Sequence, residues 1–177
     1  AFNLINVTPK IVEKYPNFEL VVVGDGNDFE RLLEHAQKCN ENLGKEAVVV
    51  VGGRTDINRF VAIADVFVGV SRAALEAMSA AKPVIIAGNE GYIGLFDESK
   101  LGVAVDTNFC CRGCEMTTDE LILADMLKVF GMTKEERKTM GEYNRRLILD
   151  RYSGKRMADD CMSAYEELLS MDPKRPN

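Results

Sequence analysis

The sequence predicts an α/β fold, a three-layer α/β/α lobe on a parallel sheet with a helical C-terminal end. Three observations carry this. Short Val-rich runs recur at residues 19–23, 47–51, 65–70 and 83–87, and beyond the leading Glu19 and Asp65 each is continuously apolar rather than alternating. Strands buried on both faces read this way. Segments of helical period lie between them, such as Asp28 to Cys39 with Leu32, Leu33 and Ala36 expected inward. The last third reads as helices over Thr118–Phe130, Lys134–Tyr152 and Ser153–Ser170. Strands alternating with helices imply a sheet covered on both faces.

The elements follow in order. Leu4 to Lys14 is expected to be a helix marked by Ile5, Ile11 and Val12, with Thr8-Pro9 and Pro16 as punctuation. Gly24-Asp25-Gly26 ends the first strand, and Gly52-Gly53 ends the second. Thr55-Asp56 is expected to cap a short helix reaching Ala62 or Ala64. The third strand runs into a helix over Ala73–Ala80, and Gly102 to Val105 is expected as a fifth strand. Thr117-Thr118-Asp119-Glu120 and Thr133-Lys134-Glu135-Glu136 are worded as helix starts. Cys110 to Met116 is the least regular stretch, and no internal repeat or low-complexity segment is visible.

Composition narrows the function. A chain of 177 residues fits one domain with a real core. Hydrophobic residues at 46% and charged residues at 28% give a globular balance, not a disordered one. A net charge of -6 without a long basic block argues against general binding of nucleic acid or anionic membranes. An anionic ligand stays open, because it needs only local donors. No apolar run reaches the length of a membrane span, and no secretory signal is visible. The five cysteines, an odd number, do not make a disulfide scaffold, and a reducing cytoplasm is expected. The opening Ala1-Phe2-Asn3-Leu4-Ile5 reads as the inside of a helix, so the chain is expected to be a piece of a longer protein.

Four loops could carry chemistry, all at strand ends where open α/β sheets bind ligands. The strongest is Ser71-Arg72-Ala73-Ala74-Leu75-Glu76. Ser71 is expected as the N-cap. Small side chains at Ala73 and Ala74 leave helix N–H groups open to an anion, with the helix dipole behind them. Arg72 adds charge, and Glu76, a turn further on, suits neutral donors such as ribose hydroxyls. The bland reading is a capped helix with Glu76 in solvent. Gly53-Arg54 offers a planar donor for a phosphate or base carbonyl, or else a surface arginine. Gly24 and Gly26 open the backbone to a ligand, or make a plain strand–helix turn. The segment from Gly88 through Asn89, Glu90, Gly91 and Tyr92 to Gly94 has the amide, acid and phenol of a sugar-recognition loop. Neither a GxGxxG nor a GxxxxGK[ST] motif is present, which sets aside dinucleotide oxidoreductases and P-loop NTPases. Cys110, Cys111 and Cys114 lack the paired spacing of a structural zinc site, and no metal is expected. His35 is expected to face solvent. No Gly-x-Ser-x-Gly elbow accompanies this lone histidine to build a triad.

In order, these pieces are residues 16–26 (Pro-Asn-Phe-Glu-Leu-Val-Val-Val-Gly-Asp-Gly), 51–54 (Val-Gly-Gly-Arg), 64–68 (Ala-Asp-Val-Phe-Val), 75–85 (Leu-Glu-Ala-Met-Ser-Ala-Ala-Lys-Pro-Val-Ile) and 88–92 (Gly-Asn-Glu-Gly-Tyr). This ordered set resembles the C-terminal, donor-binding lobe of GT-B glycosyltransferases of the family 4 type, the glycosyl transferases group 1. The resemblance implies a Rossmann-like lobe that binds a nucleotide sugar without a metal, UDP being the commonest nucleotide. Glu76 matches the second glutamate of the family's pair, which holds the ribose. Arg54 and its glycines match the loop near the base. The Asn89-Glu90-Gly91 segment matches one near the sugar and diphosphate. The acceptor would bind an N-terminal lobe, against which the helix at 153–170 would pack. The whole protein would act in the cytoplasm, at most peripherally on the membrane's inner face. One departure stands out: the family's first glutamate, eight positions before Glu76, is Val68 here. Two other readings therefore accompany the transferase, a nucleotide-sugar 2-epimerase of related architecture and a non-catalytic binding module.

Overall fold

The computed structural model describes residues 1–171. Helix α1 (Phe2–Lys14) leads into β1 (Leu20–Val22), α2 (Phe29–Leu43), β2 (Val48–Val50), α3 (Ile57–Ile63), β3 (Phe67–Gly69) and α4 (Ser71–Ser79). Strands β4 (Val84–Gly88) and β5 (Gly91–Leu95) follow, then α5 (Leu101–Asp106), α6 (Asp119–Gly131), α7 (Lys134–Arg151) and α8 (Gly154–Ser170). The fold is the expected α/β lobe with a parallel sheet and a helical end.

The strands form two hydrogen-bonded sets. β1 and β2 pair in parallel, with Leu20 opposite Val48. β3 and β4 also pair in parallel, with Phe67 opposite Val84. β5 then turns back antiparallel along β4. The segment at 88–94 is therefore a tight hairpin rather than an open loop, with only Asn89 and Glu90 between the strands.

Strand β4 shows why a continuously apolar run means burial on both sides. Val84 and Ile86 join the core beneath α4 and α7, with Ala77, Met78, Phe96 and Phe109. Ile85 and Ala87 point the other way, into a core shared with α1 and α6 through Ile11, Ile122 and Met126. Alternate residues thus fill opposite layers. α1 holds the two strand sets together, placing Val7 and Ile11 in that second core and Ile5 in a third with α2 and β2.

Pro9 sits inside α1 instead of punctuating it. A helical proline leaves the carbonyl four residues back without its donor. That carbonyl belongs to Ile5, and Cys39 Sγ donates to it at 3.7 Å. Three further expectations are corrected. Residues 102–105 belong to helix α5, not a fifth strand: Asp97 accepts from Ser99 N–H at 3.0 Å, starting a 3-10 turn that continues as helix. Only Ala104 of α5 is buried, and Val103 and Val105 on either side of it are exposed. Leu33 is exposed on α2, whereas Leu32 and Ala36 are buried. His35 is half-buried, edge-on to Phe2, with Nε2 2.7 Å from Asn6 Oδ1.

The helical end follows its start signals. Thr118 accepts from Leu121 N–H at 3.3 Å. Thr133 and Glu136 form a reciprocal capping box at the head of α7. Hydrogen bonds from the Thr133 backbone N–H and hydroxyl hold the Glu136 carboxyl below its ordinary pKa. A depressed carboxylate stabilises the fold above its unfolded pKa, and this is lost as pH falls through the lowered value. Thr133→Ala is expected to cost about 1 kcal/mol in urea unfolding at neutral pH, and less in acid. Helix α8 buries none of its residues, and Met157, Met162, Leu168 and Leu169 lie exposed along it. Among the described residues no helix is long and apolar enough to cross a membrane.

Candidate functional site

The candidate residues gather in two groups of loops at the carboxyl ends of the strands. In the first group, the Gly24 N–H donates to the Gly52 carbonyl at 2.8 Å, joining the turns after β1 and β2. The fit is close enough that a side chain at Gly53 would place its Cβ 2.7 Å from Asp25 Cγ. Arg54 makes a fork with Asp56, at 2.9 and 3.0 Å, and its guanidinium lies over the Phe60 ring at 5.5 Å. Asp56 occupies the N-cap position of α3 as expected, but its carboxylate is engaged by Arg54 and makes no capping bond.

The second group is built around the start of α4. Ser71 is not the N-cap: that position is Val70, and Ser71 is the first helical residue with φ +53°. Its hydroxyl makes no capping bond, and its N–H donates to the Phe109 carbonyl at 2.7 Å. A non-glycine residue held at positive φ costs of order 1–3 kcal/mol and tends to occur where a ligand is gripped. The α4 N-terminus carries no side-chain cap, so its free N–H groups are not occupied by its own N-cap side chain. Arg72 and Glu76 pair across one helical turn at 2.9 Å, with the Arg72 side chain 90% exposed. Ala73 is exposed between them, and Ala74 is fully buried.

The hairpin turn sits beside this helix start, since a Cβ on Gly88 would meet the Val70 side chain at 2.8 Å. Asn89 and Glu90 are exposed at its tip. Tyr92 differs from the expectation: its hydroxyl is engaged by Asp125 and the Leu121 carbonyl of α6. Burial, then the adjacent Asp125 carboxylate, push the phenol well above its ordinary pKa. Asp125 also accepts from the Leu95 N–H at 2.5 Å, so Tyr92 helps tie α6 to β5. Tyr92→Phe is expected to cost about 1 kcal/mol of stability and leave ligand affinity unchanged, as thermal unfolding and titration of the same variant would show.

The segment from Asn108 to Thr117 completes this group, and sequence reasoning did not place it there. Asn108, Phe109 and Cys111 all adopt positive φ, between +50° and +63°. Thr117 donates to the carbonyls of Gly88 and Gly91, each at 2.9 Å. Arg112 forks onto Glu90 at 3.1 and 3.2 Å. A Cβ on Gly91 would overlap the Cys111 carbonyl oxygen. The available signal was indirect: Thr107-Asn108 and Arg112-Gly113 are turn-forming words within an irregular stretch. Among the described residues no hydrogen bond joins the two groups of loops.

These features define an α/β lobe whose strand ends carry arginines, paired carboxylates and a helix start bearing no side-chain cap. The chain belongs to the glycosyl transferases group 1 family, whose model matches residues 1–146. It is 25% identical over 178 residues to spore coat protein SA of Bacillus subtilis (strain 168), covering 93% of this chain and 44% of that protein. In structure it is similar to a glycosyltransferase from Rickettsia africae ESF-5, with a TM-score of 0.67 at 19% identity, covering 97% of this chain and 46% of the other. It is also similar to WaaG, a glycosyltransferase involved in lipopolysaccharide biosynthesis, with a TM-score of 0.54 at 24% identity, over 86% of this chain and 38% of the other. The chain thus spans under half the length of these relatives, and its fold is that of one lobe of a GT-B glycosyltransferase.

Proposed function

We propose that this lobe binds the donor of a glycosyltransferase, a nucleotide-diphosphate sugar with uridine as the favoured base, for transfer to an acceptor held elsewhere in the whole protein. The observation that carries the proposal is the start of α4, where Ser71, Arg72 and Glu76 surround a helix start that has no side-chain cap. Departure of the nucleotide leaves negative charge on the diphosphate, and fixed N–H groups and an arginine stabilise it as it forms. Arg72 takes that role, and Glu76, released from Arg72, accepts from the ribose hydroxyls. Gly53 and Arg54 face the base, with Gly24 and Gly26 leaving the neighbouring backbone open. Asn89, Glu90 and Gly91 lie toward the sugar and diphosphate. Transfer needs no metal in this reading. The exposed apolar side of α8 packs on the N-terminal lobe of the whole protein, which acts in the cytoplasm.

The test is calorimetric titration of the chain with UDP, GDP and ADP, with and without EDTA. Binding of UDP in preference to the others, unaffected by EDTA, is expected. Failure of all three to bind would leave either the non-catalytic module, with which Val68 in the usual glutamate position agrees, or a site completed by the rest of the whole protein, and the same titration of the whole protein separates the two. In the whole protein, Arg72→Ala is expected to lower kcat by about 10–100-fold with little change in fold. Unchanged turnover would remove Arg72 from the mechanism.

A further inference from the structure

Cys111, Arg112, Gly113 and Cys114 form a four-residue turn, closed by the Cys114 N–H donating to the Cys111 carbonyl at 3.0 Å. Gly113 has φ +81°, the sign that the third position of a type II turn requires. A turn of this kind holds its first and fourth Cα atoms within about 7 Å, overlapping the roughly 4.4–6.8 Å that a disulfide spans. Both side chains also meet the same core. Cys111 is buried in the cluster beneath β4 and α4, and Cys114 packs against that cluster. Cys111 Sγ donates to the Ile86 carbonyl at 3.7 Å. Burial, and then the neighbouring Cys114, Cys110 and Glu90 groups, push Cys111 up to about 11, so its thiolate forms only when a partner sulfur is at hand. Cys114 is partly open to solvent while Cys111 is not. The pair therefore has one accessible thiol and one sheltered thiol. Cys110 lies outside the cluster, Cys39 is buried against α1, and Cys161 is exposed on α8.

We propose that Cys111 and Cys114 form a reversible disulfide, made by exchange with a small-molecule disulfide of the glutathione class. The Cys114 thiol gives its proton to water, and the thiolate attacks one sulfur of the external disulfide. That S–S bond breaks, and the released thiolate takes up a proton. The Cys111 thiol then loses its proton, and its thiolate attacks the Cys114 sulfur, expelling the second external thiolate. Two protein thiols are oxidised by two electrons, and one external disulfide becomes two thiols. Excess thiol reverses both steps. The bond closes around Arg112, whose guanidinium is forked onto Glu90, and so lies directly behind the rim of the strand-end site. Neither the turn nor the thiols need a nucleotide, so this inference stands apart from the donor reading.

The test treats the native chain carrying Cys161→Ser with oxidised glutathione, followed by intact mass and peptide mapping. The expected product has lost two hydrogens, carries no glutathione, and maps its bond to Cys111–Cys114. Reduced glutathione restores the starting mass, and Cys39 stays unmodified, which marks the folded state. Cys111→Ser in the same background is expected to stop at a glutathione adduct on Cys114. A stable adduct on Cys114 with Cys111 intact would overturn the proposal. So would a bond mapping to Cys110, or no reaction at either cysteine.

Discussion

Gly141→Ala is expected to destabilise the lobe by about 2–3 kcal/mol, although the substitution raises intrinsic helix propensity. Gly141 faces the turn after α4, and a Cβ there would overlap the Ala81 carbonyl oxygen and lie 2.6 Å from its carbon. Those atoms are backbone, so relief requires α7 to move off α4. The same contact is fastened on both sides of Ala81. Asn144, fully buried, donates to the Lys82 carbonyl at 2.8 Å, and Arg145 donates to the Ser79 carbonyl at 2.6 Å. α7 therefore holds the C-terminal end of the helix whose other end carries the candidate site. Urea unfolding measures the loss, which corresponds to a fall in Tm of about 4–12 °C for a domain of this size. A change below about 0.5 kcal/mol would mean that α7 is not seated on Ala81 as described.

Glu76→Ala is expected to have the opposite profile, with a large effect on binding and almost none on stability. The Arg72–Glu76 pair is an exposed contact across one helical turn, and such pairs contribute little to folding. Stability should stay within about 0.5 kcal/mol of the parent. A carboxylate accepting from ribose hydroxyls contributes about 1.5–3 kcal/mol, so nucleotide affinity should fall by about 10–100-fold. Glu76→Gln separates charge from shape, since the amide still accepts a hydrogen bond but no longer holds Arg72. Equal affinity in parent and Glu76→Ala would return Glu76 to an ordinary solvent-facing position.

The fold was legible because its signals are local and repeated. The both-face burial of β4 is written in Val84, Ile85, Ile86 and Ala87, and the capping box of α7 in Thr133 and Glu136. The misreadings came where a distant partner decides. Pro9 lies inside a helix whose Ile5, Val7 and Ile11 are seated in two cores, with Cys39, thirty residues on, a weak donor to the carbonyl that the proline leaves free. The segment at 88–94 read as an open sugar-recognition loop, but β5 uses Gly91 to fit beneath Cys111. Ser71 has the identity of an N-cap, but the Phe109 carbonyl takes its N–H and leaves it helical at positive φ. In the candidate site, local turns were visible as glycine and arginine words after strands. The segment around Phe109, Arg112 and Thr117 was not, because its place depends on hydrogen bonds across about 20 to 40 residues of chain and on strained φ values without periodicity.

The most direct test of the central claim is the amide chemical-shift map of the chain titrated with UDP. The account predicts that shifts concentrate at residues 24–26, 52–54, 71–76 and 88–91, with Tyr92 following only as a neighbour. A second polar pocket offers a real competitor, the one between α1 and α2 lined by Phe2, Asn6, Arg31, Glu34, His35 and Lys38. Shifts confined to that pocket, with the α4 start unmoved, would contradict the claim that the strand ends hold the nucleotide.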